Sequence, residues 1–294
     1  MKYTGTGTLM LLVLSLFVAC SFGQQTSDFE KITKGRCATW GRMFGVDRIT
    51  CDQIWADFEK VFTGEPIKKL CVMDPQLYDP LVASMFALVP EISKNGFFWS
   101  KTKAVTTALC GKLGLFTCLE STLPGFMFND LDWCDEKLTG GKKYETQCGC
   151  TGKAEVVYAF WKSVSNAYSN KLSGSVGVML NGSIPTPFSR NSTFGSVEVP
   201  NIKAPRFQNV TVYVLKNLED DNLRANCFSE SIVQLQTILK DQKVDYKCVD
   251  DPPFVKHFMC VQNPDHPRCA FSSSRWTSTS SLLILLSFFS SHIF

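Results

Sequence analysis

The run Val210-Thr-Val-Tyr-Val-Leu215 decides the fold, because it alternates apolar and polar side chains in the way a half-buried β-strand does. Apolar residues at helical spacing follow it between Ile232 and Leu239, and a second strand-like run covers 244–249. A strand, a helix and a strand in this order predict a right-handed crossover between parallel strands. An earlier run, Ser175-Val-Gly-Val-Met-Leu180, supplies a further strand of the same sheet.

The first half of the chain has the apolar spacing of amphipathic helices. Thr50-Cys-Asp-Gln53 resembles a capping box, apolar side chains share one helical face between 54 and 62, and the spacing returns between 78 and 86. We therefore expect a two-lobe fold of the α+β or α/β class. A mainly helical lobe would cover 24–150, and a lobe with a small parallel sheet flanked by helices would cover 151–271. A cleft between such lobes is a favoured ligand site.

Both ends of the chain have the layout of targeting segments. Residues 1–23 combine a basic start, a short apolar stretch and small residues, which is typical of a signal peptide. Ser272, Ser273 and Ser274 precede a polar spacer and an apolar tail, so 272–294 is expected to direct GPI attachment. The tail is shorter than the roughly 20 apolar residues of a transmembrane helix. We expect a GPI lipid to hold the protein on the outer face of the plasma membrane; a secreted chain with an apolar end is the alternative.

Cysteine usage agrees with the secretory pathway. One of the 13 cysteines lies in the signal segment, and the even remainder predicts six disulfides. Close spacing favours four local pairs: Cys37–Cys51, Cys110–Cys118, Cys227–Cys248 and Cys260–Cys269. A zinc site is the competing interpretation, but the chain has only 3 His and no finger spacing, so we expect no metal ion.

Acceptor sequons for N-glycosylation occur at Asn181, Asn191 and Asn209, as expected of a chain that passes through the secretory pathway. The formal net charge is only +3 and no basic stripe is present, so nucleic acid is not an expected partner.

The sequence lacks a Gly-x-Ser-x-Gly nucleophile motif, a phosphate loop and a dinucleotide fingerprint, which leaves carboxylates and aromatic residues as candidates. Glu198 ends a small, hydroxyl-rich loop that a polyhydroxylated ligand can approach closely. Each candidate has an ordinary alternative: a solvated surface charge for Glu198, a turn or capping acid for Glu120, and core packing for Trp99 and Trp161.

Several segments resemble the ADP-ribosyl cyclase and NAD glycohydrolase family. Thr122-Leu-Pro-Gly-Phe-Met-Phe-Asn-Asp-Leu-Asp-Trp-Cys134 is similar to the family's Thr-Leu-x-Gly-Tyr signature, which ends in Trp-Cys. Phe160-Trp-Lys-Ser-Val-Ser165, Met179-Leu-Asn-Gly-Ser183 and Ser192-Thr-Phe-Gly-Ser-Val-Glu198 are similar to the vertebrate sequences. The resemblance runs from residue 35 to residue 269. With the GPI-type tail, the chain is most similar to the surface NAD(P)-catabolising members from blood flukes.

The resemblance implies a role for each candidate. Glu198 matches the catalytic glutamate that contacts the ribose hydroxyls, and Trp161 and Trp99 match the pocket tryptophans that stack on nicotinamide. Glu120 matches the acid that helps hold the carboxamide and influences the balance of hydrolysis and cyclisation; with Glu198 and Trp161 it forms the expected catalytic group. Further substrate contacts are implied at Ser100, Lys101, Asn129, Ser165, Thr193 and Phe194.

The chain departs from the vertebrate pattern at some of these positions. Lys101 stands where vertebrate members have Arg, which turns a bidentate phosphate contact into a point charge. Asn129 replaces an acid, which removes a second carboxylate from that position. By analogy with the family, the longer disulfides would be Cys71–Cys150 and Cys134–Cys148.

The resemblance implies an extracellular NAD(P)+ glycohydrolase that releases nicotinamide and ADP-ribose. NAD+ or NADP+ would be the substrate, and no separate cofactor is needed. Thr193 is small where the strong cyclase has a bulky aromatic residue, so we expect weak or no cyclase activity. The alternatives are a non-catalytic, GPI-anchored receptor or adhesion ectodomain and a polysaccharide glycosidase, which would need a second acid about 5–10 Å from the first.

Overall fold

The structure is a computed structural model that describes residues 26–63, 74–89, 95–113, 116–131, 133–136, 141–143, 155–217 and 224–269. The predicted signal segment, the predicted GPI-attachment segment and the pairings Cys71–Cys150 and Cys134–Cys148 lie outside the described residues.

The elements follow one another as helices in the first part of the chain and as strands alternating with helices in the second. The helices are α1 (Thr26–Phe44), α2 (Cys51–Thr63), α3 (Asp79–Leu88), α4 (Lys103–Leu113), α5 (Leu123–Phe128), α6 (Glu155–Lys171), α7 (Glu230–Asp241) and α8 (Pro253–Gln262). The strands are β1 (Gly96–Ser100), β2 (Thr117–Cys118), β3 (Cys134–Glu136), β4 (Gly141–Lys143), β5 (Gly174–Asn181), β6 (Phe207–Leu215) and β7 (Asp245–Asp250).

A five-stranded sheet in the order β2-β1-β5-β6-β7 forms the centre of the fold, and each neighbouring pair is parallel. The predicted strand, helix and strand correspond to β6, α7 and β7, so the predicted parallel crossover is confirmed. The small antiparallel hairpin β3–β4 lies apart from this sheet. β1 and β2 come from the first half of the chain, which sequence periodicity had marked only as helical.

The sheet separates two hydrophobic cores, as expected of parallel strands that are covered on both faces. On one face, Val178 and Val212 pack with Leu235 of α7 and with the helices of the first half. On the other face, Met179 packs with residues of α4 and α8. The mixed helical and parallel-sheet architecture that the sequence predicted is therefore present.

Helix α2 begins where the sequence predicted it, directly after Thr50. The predicted reciprocal capping bond is not what holds Gln53, however. Its side-chain amide donates to Asp57, 2.9 Å away and one helical turn further along.

An aromatic cluster fills the centre of the helical part. The ring of Phe128 lies 4.8 Å from the rings of both Phe58 and Phe160, and 5.5 Å from that of Trp133, between centroids. Phe29 completes the cluster from α1. The cluster therefore joins α1, α2 and α6 to α5, the helix of the Thr-Leu-Pro-Gly segment.

The four local disulfides predicted from spacing are confirmed: Cys37–Cys51, Cys110–Cys118, Cys227–Cys248 and Cys260–Cys269. Among the predicted glycosylation sites, Asn191 and Asn209 are exposed, and Asn181 is half-buried at the end of β5. No helix in the described part of the chain combines the length and apolarity that a membrane span requires.

The aromatic cluster should make a large contribution to stability. Phe128 is 0% exposed, so Phe128→Ala leaves a cavity and should lower the free energy of unfolding by about 3–5 kcal/mol. Phe228 is 86% exposed, so Phe228→Ala should change it by no more than about 0.5 kcal/mol. Urea denaturation of both variants measures the difference; equal losses would contradict the described packing.

Candidate active site

The candidate residues are carried to one edge of the sheet by different elements. Trp99 and Ser100 end β1, and a 3₁₀ turn at Leu119–Ser121 carries Glu120 directly after β2. A π-helix, Phe194–Glu198, ends at Glu198 and follows the loop after β5. The carboxyl ends of parallel strands are the usual ligand side of such sheets, and a π-helix often marks a functional site.

Glu120 is bound to the first tryptophan. The indole Nε1 of Trp99 donates to Oε1 of Glu120 at 3.0 Å, while Oε2 is buried and has no hydrogen-bond partner among the described residues. Burial raises the pKa of Glu120, and the nearby negative charge of Asp130 adds to this, while hydrogen bonding and Lys103 oppose it. An unpartnered buried oxygen is costly, so it is a position where a ligand's donor can be accommodated.

The pKa of Glu198 is raised as well. It is 6% exposed, and burial raises its pKa to about 8, with a hydrogen bond from the Ser165 side chain opposing the shift and the charge of Glu120 adding to it. The two carboxyl groups therefore interact electrostatically. A pair of buried acids in this arrangement favours a cationic ligand.

The loop that presents Glu198 is tightly packed. A Cβ at Gly195 would overlap the carbonyl oxygen of Ser189, so glycine is required for this close approach. The hydroxyl of Ser192 accepts from the Gly195 amide at 3.0 Å, and that of Ser196 donates to the Ser192 carbonyl at 2.8 Å. The hydroxyls of Ser192 and Ser196 in this hydroxyl-rich loop thus bond within the loop and hold the π-helix in place.

The turn that presents Glu120 is held in a similar way. A Cβ at Gly125 would overlap the carbonyl oxygen of Leu119, which explains the glycine of the Thr-Leu-Pro-Gly segment. Thr122 Oγ1 donates to that carbonyl at 2.6 Å and accepts from the Gly125 amide at 3.3 Å. The indole of Trp40 donates to the Ser121 carbonyl at 2.9 Å. The segment therefore serves to hold Glu120 in its buried position.

The second tryptophan lies on α6. Trp161 is half-buried, with its ring 5.3 Å from that of Phe160 in an edge-on arrangement. Ser165 follows one turn later on the same helix and is buried. Trp99 is also half-buried, so both tryptophans keep part of their surface available for a ligand.

The other predicted contacts differ in how accessible they are. Ser100 is buried, Thr193 is half-buried, and Phe194 is buried against Phe98, with ring centroids 6.0 Å apart. Lys101 is exposed and has a backbone φ of 59°. Phe194 therefore acts mainly as packing beneath the loop, whereas the Lys101 ammonium lies in solvent.

Asn129 follows the last residue of α5. Its Oδ1 is buried without a hydrogen-bond partner among the described residues, like Oε2 of Glu120. The guanidinium of Arg36 in α1 donates to the Asn129 carbonyl at 2.6 Å and to the Met127 carbonyl at 3.3 Å. Arg36 thus caps the end of α5, a role that no local sequence signal indicates.

Sequence reasoning also missed the contribution of Tyr168 from α6. Its buried hydroxyl lies 3.1 Å from the Phe97 amide and 2.7 Å from the Thr117 carbonyl, and so connects α6 to the starts of β1 and β2. The spacing of Trp161, Ser165 and Tyr168 on one helical face was the available signal. Near Glu120, Lys103 and Asp130 form an ion pair of 2.6 Å that only the tertiary structure brings together.

Potential metal ligands come together in one group in the described ranges, Cys227, Cys248 and Asp250. The two sulfurs of this group are already joined in a disulfide, so they are not available as thiolate ligands.

Known proteins match most of this chain in sequence. The family model described as ADP-ribosyl cyclase matches residues 26–269. The rat protein ADP-ribosyl cyclase/cyclic ADP-ribose hydrolase 1 is 32% identical over 251 residues, which cover 83% of this chain and 80% of the rat protein. The Aplysia californica ADP-ribosyl cyclase/cyclic ADP-ribose hydrolase is 28% identical over 253 residues, which cover 83% of this chain and 87% of that protein.

Solved structures share the fold. The crystal structure of Aplysia cyclase complexed with substrate NGD and product cGDPR superposes with a TM-score of 0.70 at 27% identity, over 83% of this chain and 97% of that chain. Apo porcine CD38 superposes with a TM-score of 0.63 at 28% identity, over 77% of this chain and 97% of that chain. The family match over residues 26–269 and the shared architecture lead to one conclusion: this chain is a member of the ADP-ribosyl cyclase family.

Proposed function

We propose that this chain is an extracellular NAD(P)+ glycohydrolase that cleaves the nicotinamide–ribosyl bond and has weak or no cyclase activity. The observation that carries the proposal is the pair of buried acids Glu120 and Glu198, of which Glu120 accepts a hydrogen bond from the half-buried Trp99 and raises the pKa of Glu198. Family membership supports it, since a relative with the same fold is solved with the dinucleotide substrate NGD.

The charge of the substrate fits this site. The nicotinamide ring of NAD+ is cationic, so its binding offsets the repulsion between the two buried acids. Trp99 and Trp161 offer aromatic surface, and stacking of a cation on indole is favourable. The unpartnered oxygens of Glu120 and Asn129 are acceptors for the carboxamide NH₂ group.

The chemistry needs one main carboxylate. As the bond between the ribose C1′ and the ring nitrogen breaks, its electron pair leaves with nicotinamide, which becomes neutral, and C1′ becomes oxocarbenium-like. An ionised Glu198 in a desolvated site stabilises that developing positive charge. Water then adds to C1′ and releases a proton, giving ADP-ribose. Nicotinamide is a good leaving group, so a general acid is not required, unlike in ordinary glycosidases.

Product choice depends on what reaches C1′ first. Attack by water gives the linear product, whereas attack by the adenine N1 of a folded substrate gives the cyclic one. Thr193 is small and half-buried, so it offers little surface to hold the adenine inward. The proposal therefore favours hydrolysis, for NADP+ as well as for NAD+.

A non-catalytic receptor on the same fold is the competing proposal. Keeping Glu198 buried destabilises the folded protein at neutral pH, because the ionised form prefers water. A binding ectodomain has no use for a carboxyl group whose burial destabilises the fold. An enzyme can use it, because a desolvated carboxylate stabilises positive charge in the transition state. The buried acids thus favour catalysis over simple binding.

The disulfides of the chain support an extracellular location. The four confirmed disulfides require an oxidising compartment, which supports an extracellular enzyme. Attachment through a GPI lipid, and with it the likeness to blood-fluke members, rests on the sequence of 272–294 alone.

Glu198→Gln should lower kcat for NAD by about 100-fold or more, because a neutral amide cannot stabilise the oxocarbenium-like charge. Steady-state assays of purified protein measure this. Glu230→Gln, an exposed acid in the first turn of α7, is the matched control and should retain turnover. Near-normal turnover by Glu198→Gln would contradict the proposed role of Glu198 in the cleavage.

The same variant allows a check that does not depend on turnover. Burial raises the Glu198 pKa to about 8 in the fold from the usual 4.5, so the folded protein binds a proton that the unfolded chain has released. The proton held by Glu198 stabilises the folded protein fully below pH 4.5, and this stabilisation is lost as the pH rises through about 8. The Tm of Glu198→Gln relative to the parent should therefore rise between these pH values; a flat difference would mean that Glu198 is not buried as described.

Glu120→Leu should raise the cyclic fraction of the product from NAD. Leucine has no carboxyl oxygen to accept hydrogen bonds beside Trp99, so a water molecule is held there less well. Attack by the adenine N1 on C1′ then competes better with attack by water. Chromatography of the products gives the ratio, with Glu230→Gln again as the control. An unchanged ratio would refute a role for Glu120 in product choice.

Phosphatidylinositol-specific phospholipase C should release the NAD-cleaving activity from intact cells that express the full chain. This phospholipase cuts a GPI anchor and leaves a transmembrane anchor in place. The activity in the supernatant is measured before and after treatment. Activity that stays with the cells would point to another mode of attachment.

A further inference from the structure

Glu120 lies at the end of a weakly supported strand. It follows β2 by two residues, and β2 itself has only two residues, Thr117 and Cys118, at the edge of the sheet. The strand pairs on one side only, with β1. Short edge strands have few hydrogen bonds of their own, so the position of the Glu120 turn depends on contacts outside the sheet. The bonds from Thr122 and Trp40 hold the turn itself, and the strand before it needs a further constraint.

A disulfide supplies that constraint. Cys118, the last residue of β2, is joined to Cys110 in α4, and both are buried. Helix α4 is itself fastened to the central strand β5: Thr102 Oγ1, just before the helix, donates to the Met179 carbonyl at 3.0 Å, and Thr106 Oγ1 lies 3.3 Å from the Met179 sulfur. The disulfide thus connects the turn to the centre of the sheet through α4.

The disulfide lies within a chain segment that begins and ends at the site. The chain leaves the site at Trp99 and Ser100, passes through α4, and returns to it at Glu120. At the point of return, Trp99 donates to the Glu120 carboxyl, whose second oxygen has no partner in the described part of the chain. This single side-chain hydrogen bond between Trp99 and Glu120 is easily lost if the segment that carries Glu120 can move.

The other confirmed disulfides are placed differently. Cys260–Cys269 is the best comparison, because its sequence separation is 9 against 8 for Cys110–Cys118 and its cysteines are buried in the same hydrophobic core. It fastens the segment after α8, away from both candidate carboxylates in sequence. The two disulfides therefore share span and burial but differ in what they adjoin.

The geometry points to the Cys110–Cys118 disulfide as the positioning element for Glu120, which keeps the carboxyl on Trp99 and so sets the partition between linear and cyclic product. This inference rests on the proposed cleavage of NAD and deepens it. The cysteines do not touch the substrate. They act only by limiting the movement of the turn at Leu119–Ser121.

The test is a double-mutant cycle. Cys110→Ala/Cys118→Ala should raise the ratio of cyclic to linear product from NAD and from NGD by about threefold or more, since a misplacement of about 1 Å can change rates by up to about 100-fold. The same double substitution in a Glu120→Leu background should change the ratio no further, because there is no carboxyl left to position. Cys260→Ala/Cys269→Ala should lower the Tm and leave the ratio unchanged.

Amide hydrogen exchange gives a readout independent of turnover. Loss of Cys110–Cys118 should speed exchange in the segment 117–126 by about tenfold, and loss of Cys260–Cys269 should not. If the alanine variant does not fold, Cys110→Val/Cys118→Ala fills more of the lost volume and takes its place.

The outcomes separate the two proposals. A parent protein that leaves NAD and NGD uncleaved would overturn the proposed function, whatever the exchange shows. With turnover present, the positioning role is overturned by unchanged exchange in 117–126, by a product ratio equal to that of the Cys260/Cys269 control, or by an effect that persists in the Glu120→Leu background.

Discussion

Two carboxyl groups are held out of water in this fold, and the packing around them determines the geometry of the candidate site. Glu120 and Glu198 are each 6% exposed, and burial raises the pKa of both. Within the described ranges, neither group has a cation beside it that would fully neutralise its charge; Lys103 acts on Glu120 while being paired with Asp130. Ionising buried acids costs free energy, so the surrounding packing must hold them where water would otherwise draw them out.

That packing is built from close backbone contacts. Gly125 and Gly195 each lie against a carbonyl oxygen that a Cβ would overlap; Gly125 lies in α5, directly after the Glu120 turn, and Gly195 lies in the π-helix that carries Glu198. Tyr168 ties the starts of β1 and β2 to α6, the helix that also carries Trp161. The aromatic cluster packs α5 against α1, α2 and α6, so the contacts that stabilise the helical part also support the helix that follows the Glu120 turn.

The same burial underlies the cationic substrate that we propose. Glu198 is largely protonated at neutral pH, because burial raises its pKa to about 8. In the proposed reaction, a cationic ring bound beside the two acids favours the ionised carboxylate, which is the form that can stabilise positive charge at C1′. The proposal therefore links the charge of the substrate, the ionisation of Glu198 and the stabilisation of the transition state to the burial of Glu198.

By itself, the sequence determined the features that depend on local spacing. These are the parallel β6–α7–β7 unit, the four short-range disulfides and the family motifs that name Glu120, Glu198 and the two tryptophans as candidates. Only the tertiary structure decided that β1 and β2 join the sheet, that Trp99 bonds Glu120, and that the loop hydroxyls bond internally. Periodicity and residue separation can be read directly from the sequence. Desolvation and the meeting of residues 21 positions apart depend on distances in space, which no local pattern encodes.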